Sequence, residues 1–169
     1  SAVINTRLGF GRVFVSGENG ELRAMIAMRD RNACVSRPRD GRRDAGHDFK
    51  THARLCQLAR LFRTALDHLG VRAYPKLTGS RGIQAWIPLE RGRYSFDETS
   101  SWVERLSRAV GGTVPDLVSW EWAKADRGGR ARLDYTQNQP IKTLVAPYAV
   151  RPRPGAPVSA PITWDELDD

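Results

Sequence analysis

The residue best suited to chemistry in this sequence is an acid, Asp134, which lies between Leu133 and Tyr135 in the strand-like run 132–135. A carboxylate buried in a strand without a partner would cost on the order of several kcal/mol. A metal ion or a basic group is therefore expected beside Asp134, and a metal would make this acid a candidate catalytic residue. The alternative is a structural ion pair with Arg132 or Lys124.

A second group of residues is suited to binding phosphate. One turn supplies the hydroxyls of Thr78 and Ser80, the guanidinium of Arg81, and two glycines that permit close approach of a ligand. Arg151 follows an apolar run, and an arginine at a strand end can hold phosphate oxygens in pairs. An ordinary tight turn and a surface arginine are the alternatives, and the pattern alone leaves them open.

Hydrophobic periodicity predicts two helices and a small sheet. Apolar residues recur at helical spacing over 51–69, and Ser95 with Glu98 has capping-box spacing at the start of a second helix. Strand-like runs lie at 71–77, 83–89, 118–122, 132–135 and 143–150, before a proline-rich tail over 152–161 and a helix start at 163–167. We therefore predict an α/β (α+β) fold with a small mixed or antiparallel sheet flanked by helices.

The first fifty residues differ in character from the rest. Alternating residues on both sides of Asn19-Gly20 predict a β-hairpin over 11–27. Residues 29–50 are rich in Arg, Asp and Gly without an apolar period, which favours a solvated loop over a dedicated nucleic-acid contact. We therefore divide the chain into an N-terminal segment, 1–50, and a folded domain, 51–169.

The composition favours a polyanionic partner. The 169 residues include 27 lysines and arginines against 19 acids, a formal charge of +8 at pH 7, which favours nucleic acid or nucleotides as ligands. No apolar run reaches the roughly 18 residues of a membrane span, and no basic-then-apolar leader opens the sequence. We expect a soluble intracellular protein without membrane association.

Several motifs, in order along the chain, resemble one protein family. They lie at 76–89, 132–138, 142–151 and 154–167. They resemble the polymerase domain of bacterial DNA ligase D and its stand-alone primase-polymerase relatives, within the archaeo-eukaryotic primase superfamily. The resemblance covers about residues 55–169.

The resemblance implies an activity and its ligands. The activity is template-directed addition of ribo- or deoxyribonucleotides to a primer end, by phosphoryl transfer with two Mn²⁺ or Mg²⁺ ions. The implied ligands are nucleoside triphosphates and DNA ends, with Ku and a DNA ligase as companions in bacterial end-joining repair. The implied location is the bacterial cytoplasm, at the nucleoid.

The resemblance also assigns roles to individual residues. Asp134 matches the third metal-binding acid of the family. The matches to nucleotide-binding positions are Thr78, Ser80, Arg81, Gln84, Gln137 and Arg151. Gln84 is a departure, since the ligase-linked enzymes carry a histidine there, and glutamine cannot carry a charge. We expect weaker binding of the incoming nucleotide or greater use of Arg81.

A larger departure concerns the family's first metal motif, an Asp-x-Asp at the end of an apolar strand before the first helix. The sequence places 42–49 there, with Asp44 and Asp48 as the local substitutes for the two acids. We hypothesise that a truncated or frame-shifted gene replaced the first part of the domain, so that segment 1–50 is unmatched and the fold incomplete. Enzymatic activity is therefore left open, and a catalytically inactive DNA-binding remnant is the alternative function.

Two further alternatives belong to other classes of protein. A zinc site could be formed by two cysteines and two histidines, Cys34, His47, His52 and Cys56. Three of the four lie in or beside the charged loop, and their spacing fits no known zinc finger. We therefore favour exposed side chains and free thiols at these positions. A generic basic nucleic-acid-binding module would require the ordered motif matches to be chance.

Overall fold

The computed structural model describes residues 12–14, 23–29, 49–90, 92–123 and 125–167. The elements in this part of the chain are β1 (Arg12–Phe14), β2 (Arg23–Arg29), α1 (Phe49–His68), β3 (Tyr74–Leu77), β4 (Gly82–Pro88), α2 (Phe96–Thr113), β5 (Arg132–Leu133) and β6 (Thr143–Val145). Short 3-10 turns lie at Ala125–Arg127, Tyr135–Gln137 and Asp165–Leu167.

The strands form two antiparallel sheets. The larger has the order β3-β4-β2-β5, and the smaller pairs β1 with β6. The predicted α/β (α+β) class with flanking helices is confirmed, and of the two sheet types that were predicted the antiparallel one is present.

Helix α1 forms for the reason that its spacing predicted. Its buried stripe consists of Leu55, Leu58, Ala59, Phe62 and Leu66. The helix ends at His68 because Gly70 adopts a φ of +66°, and Leu69, which the sequence placed on the stripe, is 56% exposed.

Helix α2 begins with the predicted capping box. The Ser95 hydroxyl accepts from the backbone N–H of Glu98, and the Glu98 carboxylate accepts from the backbone N–H of Ser95 at 2.7 Å. Val103 and Val110 are buried, and Trp102 packs against the same core. No helix in the described part of the chain is long and apolar enough to cross a membrane.

Strand β2 is apolar on both of its faces. Ala24, Ile26 and Met28 join the core formed with the helices. Met25 and Ala27 face the other way and pack with Leu144 of β6. A strand covered on both faces belongs at the centre of a sheet, where β2 pairs with β4 on one side and β5 on the other.

This central position corrects the predicted hairpin over 11–27. In the described residues, β1 pairs with β6 and β2 pairs with β4 and β5, so the two strands belong to different sheets. The Asn-Gly signal is local, whereas the pairing is decided by burial of β2 on both faces. Because β2 lies before residue 50, the larger sheet also draws a strand from the segment that the sequence set apart.

The second half of the proline-rich tail is extended as predicted and lies along the free edge of β3, whereas residues 152–156 form a turn that pairs Val150 with Val158. The backbone N–H of Leu77 donates to the carbonyl of Ala160 at 2.8 Å, and Ala160 donates back at 3.1 Å. Ile162 donates to Pro75 at 3.1 Å. The tail therefore covers the edge of the sheet with backbone hydrogen bonds, and Leu167 anchors its end in the core at 6% exposure.

Candidate functional site

Four residues form one row across the larger sheet. Lys76 of β3 lies opposite Gln84 of β4, and Gln84 lies opposite Ala27 of β2. Just beyond β5, the backbone N–H of Asp134 donates to the carbonyl of Ala27 at 2.7 Å. Side chains alternate between sheet faces, so this row lies on the face opposite to the helices, and three strand spacings separate its ends by roughly 14 Å.

The Asp134 carboxylate is buried, and both of its oxygens have partners. One oxygen accepts from the Thr136 hydroxyl at 2.7 Å. The other accepts from the Gln137 amide at 3.1 Å and lies 3.3 Å from the Arg29 guanidinium. The side chain of Asp134 is 8% exposed, against 46% for Arg29.

The basic partner of Asp134 is therefore Arg29, which the sequence did not single out. The ion pair with Arg132 that was considered does not form, since the Arg132 guanidinium lies 4.0 Å from the centre of the Trp122 ring. Lys124, the other predicted partner, lies outside the described residues. Arg29 stands 105 positions before Asp134 in the sequence, so no local pattern could have joined them.

Asn138 holds the segment after β5 against β2. Its amide oxygen accepts from the backbone N–H of Met25 at 2.7 Å, and its amide nitrogen donates to the Met25 carbonyl at 2.8 Å. One side chain thus replaces the hydrogen bonds that β5, only two residues long, does not supply. This contact positions Asp134 and Gln137 over the sheet.

A second polar cluster surrounds Lys76, which is 3% exposed. Its ammonium donates to the Ser159 hydroxyl at 2.7 Å and to the Val145 carbonyl at 3.2 Å, and it lies 5.4 Å from the Trp86 ring centre. Burial, and next the positive charge of Arg151, lowers the pKa of Lys76 to about 7. In the sequence, the only signal for Lys76 is that it is a charged residue inside a predicted strand.

Gln84 belongs to this second cluster. It is 2% exposed, and its amide oxygen accepts from the Trp86 indole at 3.0 Å. Arg151 lies near enough for its charge to act on Lys76. Two predicted nucleotide-binding residues, Gln84 and Arg151, therefore share one part of the site, while Gln137 lies with Asp134 in the other.

The predicted phosphate loop follows β3 directly. Thr78 closes it, because its backbone N–H and its hydroxyl both donate to the carbonyl of Gly82, at 3.0 and 2.9 Å. Gly79 has a φ of +63° and approaches the backbone of Val158 so closely that a Cβ would lie 2.7 Å from its carbonyl carbon. Ser80 and Arg81 also belong to this loop; Ser80 is 8% exposed, while Arg81 is exposed to solvent.

The described residues do not fit the metal centre that the resemblance implies. A divalent ion takes several oxygen ligands, but nowhere in the described ranges do three His, Cys, Asp or Glu side chains come together. Both oxygens of Asp134 already have partners. Asp44 and Asp48, the predicted substitutes, lie outside these ranges, as do Cys34 and His47 of the rival zinc set.

Comparison with known proteins agrees with this fold. A family model for the LigD primase-polymerase domain matches residues 44–169. The polymerase domain from Mycobacterium tuberculosis ligase D, solved in complex with DNA, superposes with a TM-score of 0.70 at 28% identity, covering 95% of this chain and 52% of that one. The chain belongs to the LigD primase-polymerase domain family.

Curated relatives are much longer proteins. The multifunctional non-homologous end joining protein LigD of Mycolicibacterium smegmatis is 34% identical over 119 residues, 70% of this chain and 16% of that protein. The Pseudomonas aeruginosa protein of the same name is 36% identical over 115 residues, 68% of this chain and 14% of that protein. The matched part of this chain therefore spans only 14–16% of the length of these relatives.

Proposed function

We propose that this chain binds nucleoside triphosphates and DNA ends, and adds nucleotides to a primer under the direction of a template, in bacterial end-joining repair. The observation that carries the proposal is the family match over 44–169, on a fold shared with a polymerase domain that was solved with DNA. The excess of positive charge, +8, suits both ligands. Ku and a DNA ligase are the proposed companions, and Mn²⁺ or Mg²⁺ is the proposed cofactor.

The site offers phosphate-binding groups at two places on one sheet face. Arg81 is exposed in the loop after β3, where a guanidinium can contact phosphate oxygens. The charge of Arg151 acts on Lys76 near Gln84, and an anion placed there would favour the protonated form of Lys76. We assign the triphosphate to this end of the row, opposite the end at which Asp134 lies.

Primer extension tests the proposal. A primer annealed to a short DNA template is incubated with the protein, all eight nucleotides, and Mn²⁺ or Mg²⁺. We expect added nucleotides that depend on the template and disappear with Asp134→Asn, because the amide removes the charge while nearly preserving the shape of the side chain. Asp116→Asn, at an exposed acid after α2, is the matched control and should extend the primer like the unchanged protein.

Binding without transfer is the second candidate function. The ion pair between Arg29 and Asp134 favours it, because the described carboxylate of the site already has a cation. In that case folded protein would bind primer-template DNA and nucleotides but extend no primer with either metal. Absence of both binding and extension would overturn both candidates.

A further inference from the structure

We propose that Arg29 is the resident cation of Asp134, so that a divalent ion gains this carboxylate only in competition with the guanidinium. The Arg29 Nη1 lies 3.3 Å from Asp134 Oδ2, and the carboxylate is 8% exposed. The inference rests on the proposed function only in placing Asp134 within the ligand-binding face. It concerns which cation pairs with the Asp134 carboxylate, and it applies to either of the two candidate functions.

The position of Arg29 in the fold supports this role. Strand β2 is the apolar strand that precedes α1 in the described part of the chain, whereas the sequence alone pointed to 42–49 for the end of that strand. Where the resemblance leads one to expect acids, β2 therefore ends in a cation. The next residue in the sequence is Asp30, which lies outside the described residues.

The surrounding charges favour the guanidinium over a second cation. Arg29 and Arg132 lie directly opposite each other on β2 and β5, so a second arginine lies on the same sheet face, with its guanidinium stacked on Trp122. Each oxygen of Asp134 also accepts a hydrogen bond from a neutral donor, Thr136 or Gln137. An incoming divalent ion would meet like charge and would have to displace an existing partner.

Titration with Mn²⁺, followed by electron paramagnetic resonance, measures this competition without reference to activity. Free Mn²⁺ gives a six-line spectrum that is lost on binding. We expect Arg29→Asp, which replaces the cation with a second carboxylate, to bind Mn²⁺ about tenfold or more tightly than the unchanged protein. Adding Asp134→Asn to this variant should abolish the gain, and Arg29→Ala should give an intermediate affinity.

Two controls separate charge from general damage. Arg29→Lys keeps the positive charge and should bind Mn²⁺ as weakly as the unchanged protein. Arg132→Ala removes the opposing arginine, which stacks on Trp122 instead of pairing with Asp134, and should give a smaller gain than Arg29→Ala. Circular dichroism of each variant checks folding.

Three outcomes would overturn the proposal. The first is Mn²⁺ binding by the unchanged protein that depends on Asp134 and is as tight as in Arg29→Asp. The second is the absence of any Asp134-dependent binding in all folded variants. The third is a gain with Arg29→Lys equal to that with Arg29→Ala. None of these readouts involves nucleotide or DNA, so the proposed function can fail or hold independently.

Discussion

Two charged side chains of the site, Asp134 and Lys76, are buried, and each is stabilised differently. Asp134 has a cationic partner in Arg29 and two neutral hydrogen-bond donors. Lys76 has only neutral acceptors among its described hydrogen bonds, and a second cation, Arg151, acts on it. The sequence identified Asp134 and Arg151, but Lys76 and Arg29 acquire meaning only from neighbours on other strands.

Stability should depend on pH through Lys76. Its pKa is lowered in the folded protein from 10.5 to about 7 by burial and then by Arg151, while the unfolded chain regains the ordinary value. Between these two values the unfolded state binds more protons, so the contribution of Lys76 to the free energy of unfolding rises with pH, by at most about 1.4 kcal/mol per pH unit. Below about pH 7 Lys76 is protonated in both the folded and the unfolded state, so it adds no further pH dependence.

Urea unfolding at a series of pH values from about 7 to about 10 measures the effect. We expect Lys76→Met, which keeps the length of the side chain without the amine, to flatten the rise. Lys142→Met serves as a matched lysine removal and should retain it. If Lys76→Met and the unchanged protein showed the same pH dependence, the buried ammonium would have no such role.

At the scale of elements, local signals predicted the helices well. The stripe of α1, its glycine stop and the capping box of α2 depend on residues within one or two helical turns. Strand partners were harder, because β1 and β2 carry a convincing hairpin signal yet pair with strands distant in the sequence. The tail was predicted as extended, but its pairing with β3 follows only from the free edge that β3 presents.

The contact between the phosphate loop and the tail makes a specific prediction for glycine substitutions. Gly79 and Gly92 both have positive φ, +63° and +72°, but a Cβ would meet the backbone of Val158 only at Gly79. We expect Gly79→Ala to lower the free energy of unfolding by about 1 kcal/mol or more beyond the loss with Gly92→Ala. Urea unfolding compares the two variants. Equal losses would show that the backbone at Val158 moves to accommodate the new Cβ without loss of stability.

At the scale of the whole molecule, charge is the property that the sequence states most directly. A formal charge of +8 predicts a polyanionic ligand but does not locate its surface. The fold places Arg81 at one end of β3, in the phosphate loop, and Arg72 just before the other end. Both arginines are exposed to solvent. Comparing their substitutions therefore distinguishes a general effect of positive charge from a contact made at one position.

Salt dependence of DNA binding tests whether Arg81, besides its proposed contact with the triphosphate, also contacts a DNA phosphate. Fluorescence anisotropy with labelled primer-template DNA should show affinity falling by about tenfold or more between roughly 50 and 200 mM salt, as two or more phosphate contacts require. We expect Arg81→Gln to reduce the slope of log affinity against log salt by about 0.9, the share of one contact. Arg72→Gln should leave the slope unchanged, and an equal reduction in both would refute a localised contact.

The sequence by itself determined the helices, the α/β class, the charge and the resemblance that the family match bears out, because these depend on spacing within short windows or on ordered motifs. The residue roles inferred from that resemblance stay proposals. The tertiary structure decided what the site residues touch: Lys76 meets Ser159 across 83 positions, and Met25 meets Asn138 across 113. Such partners are brought together by burial of a sheet, and burial is a property of the folded chain, not of any window of its sequence.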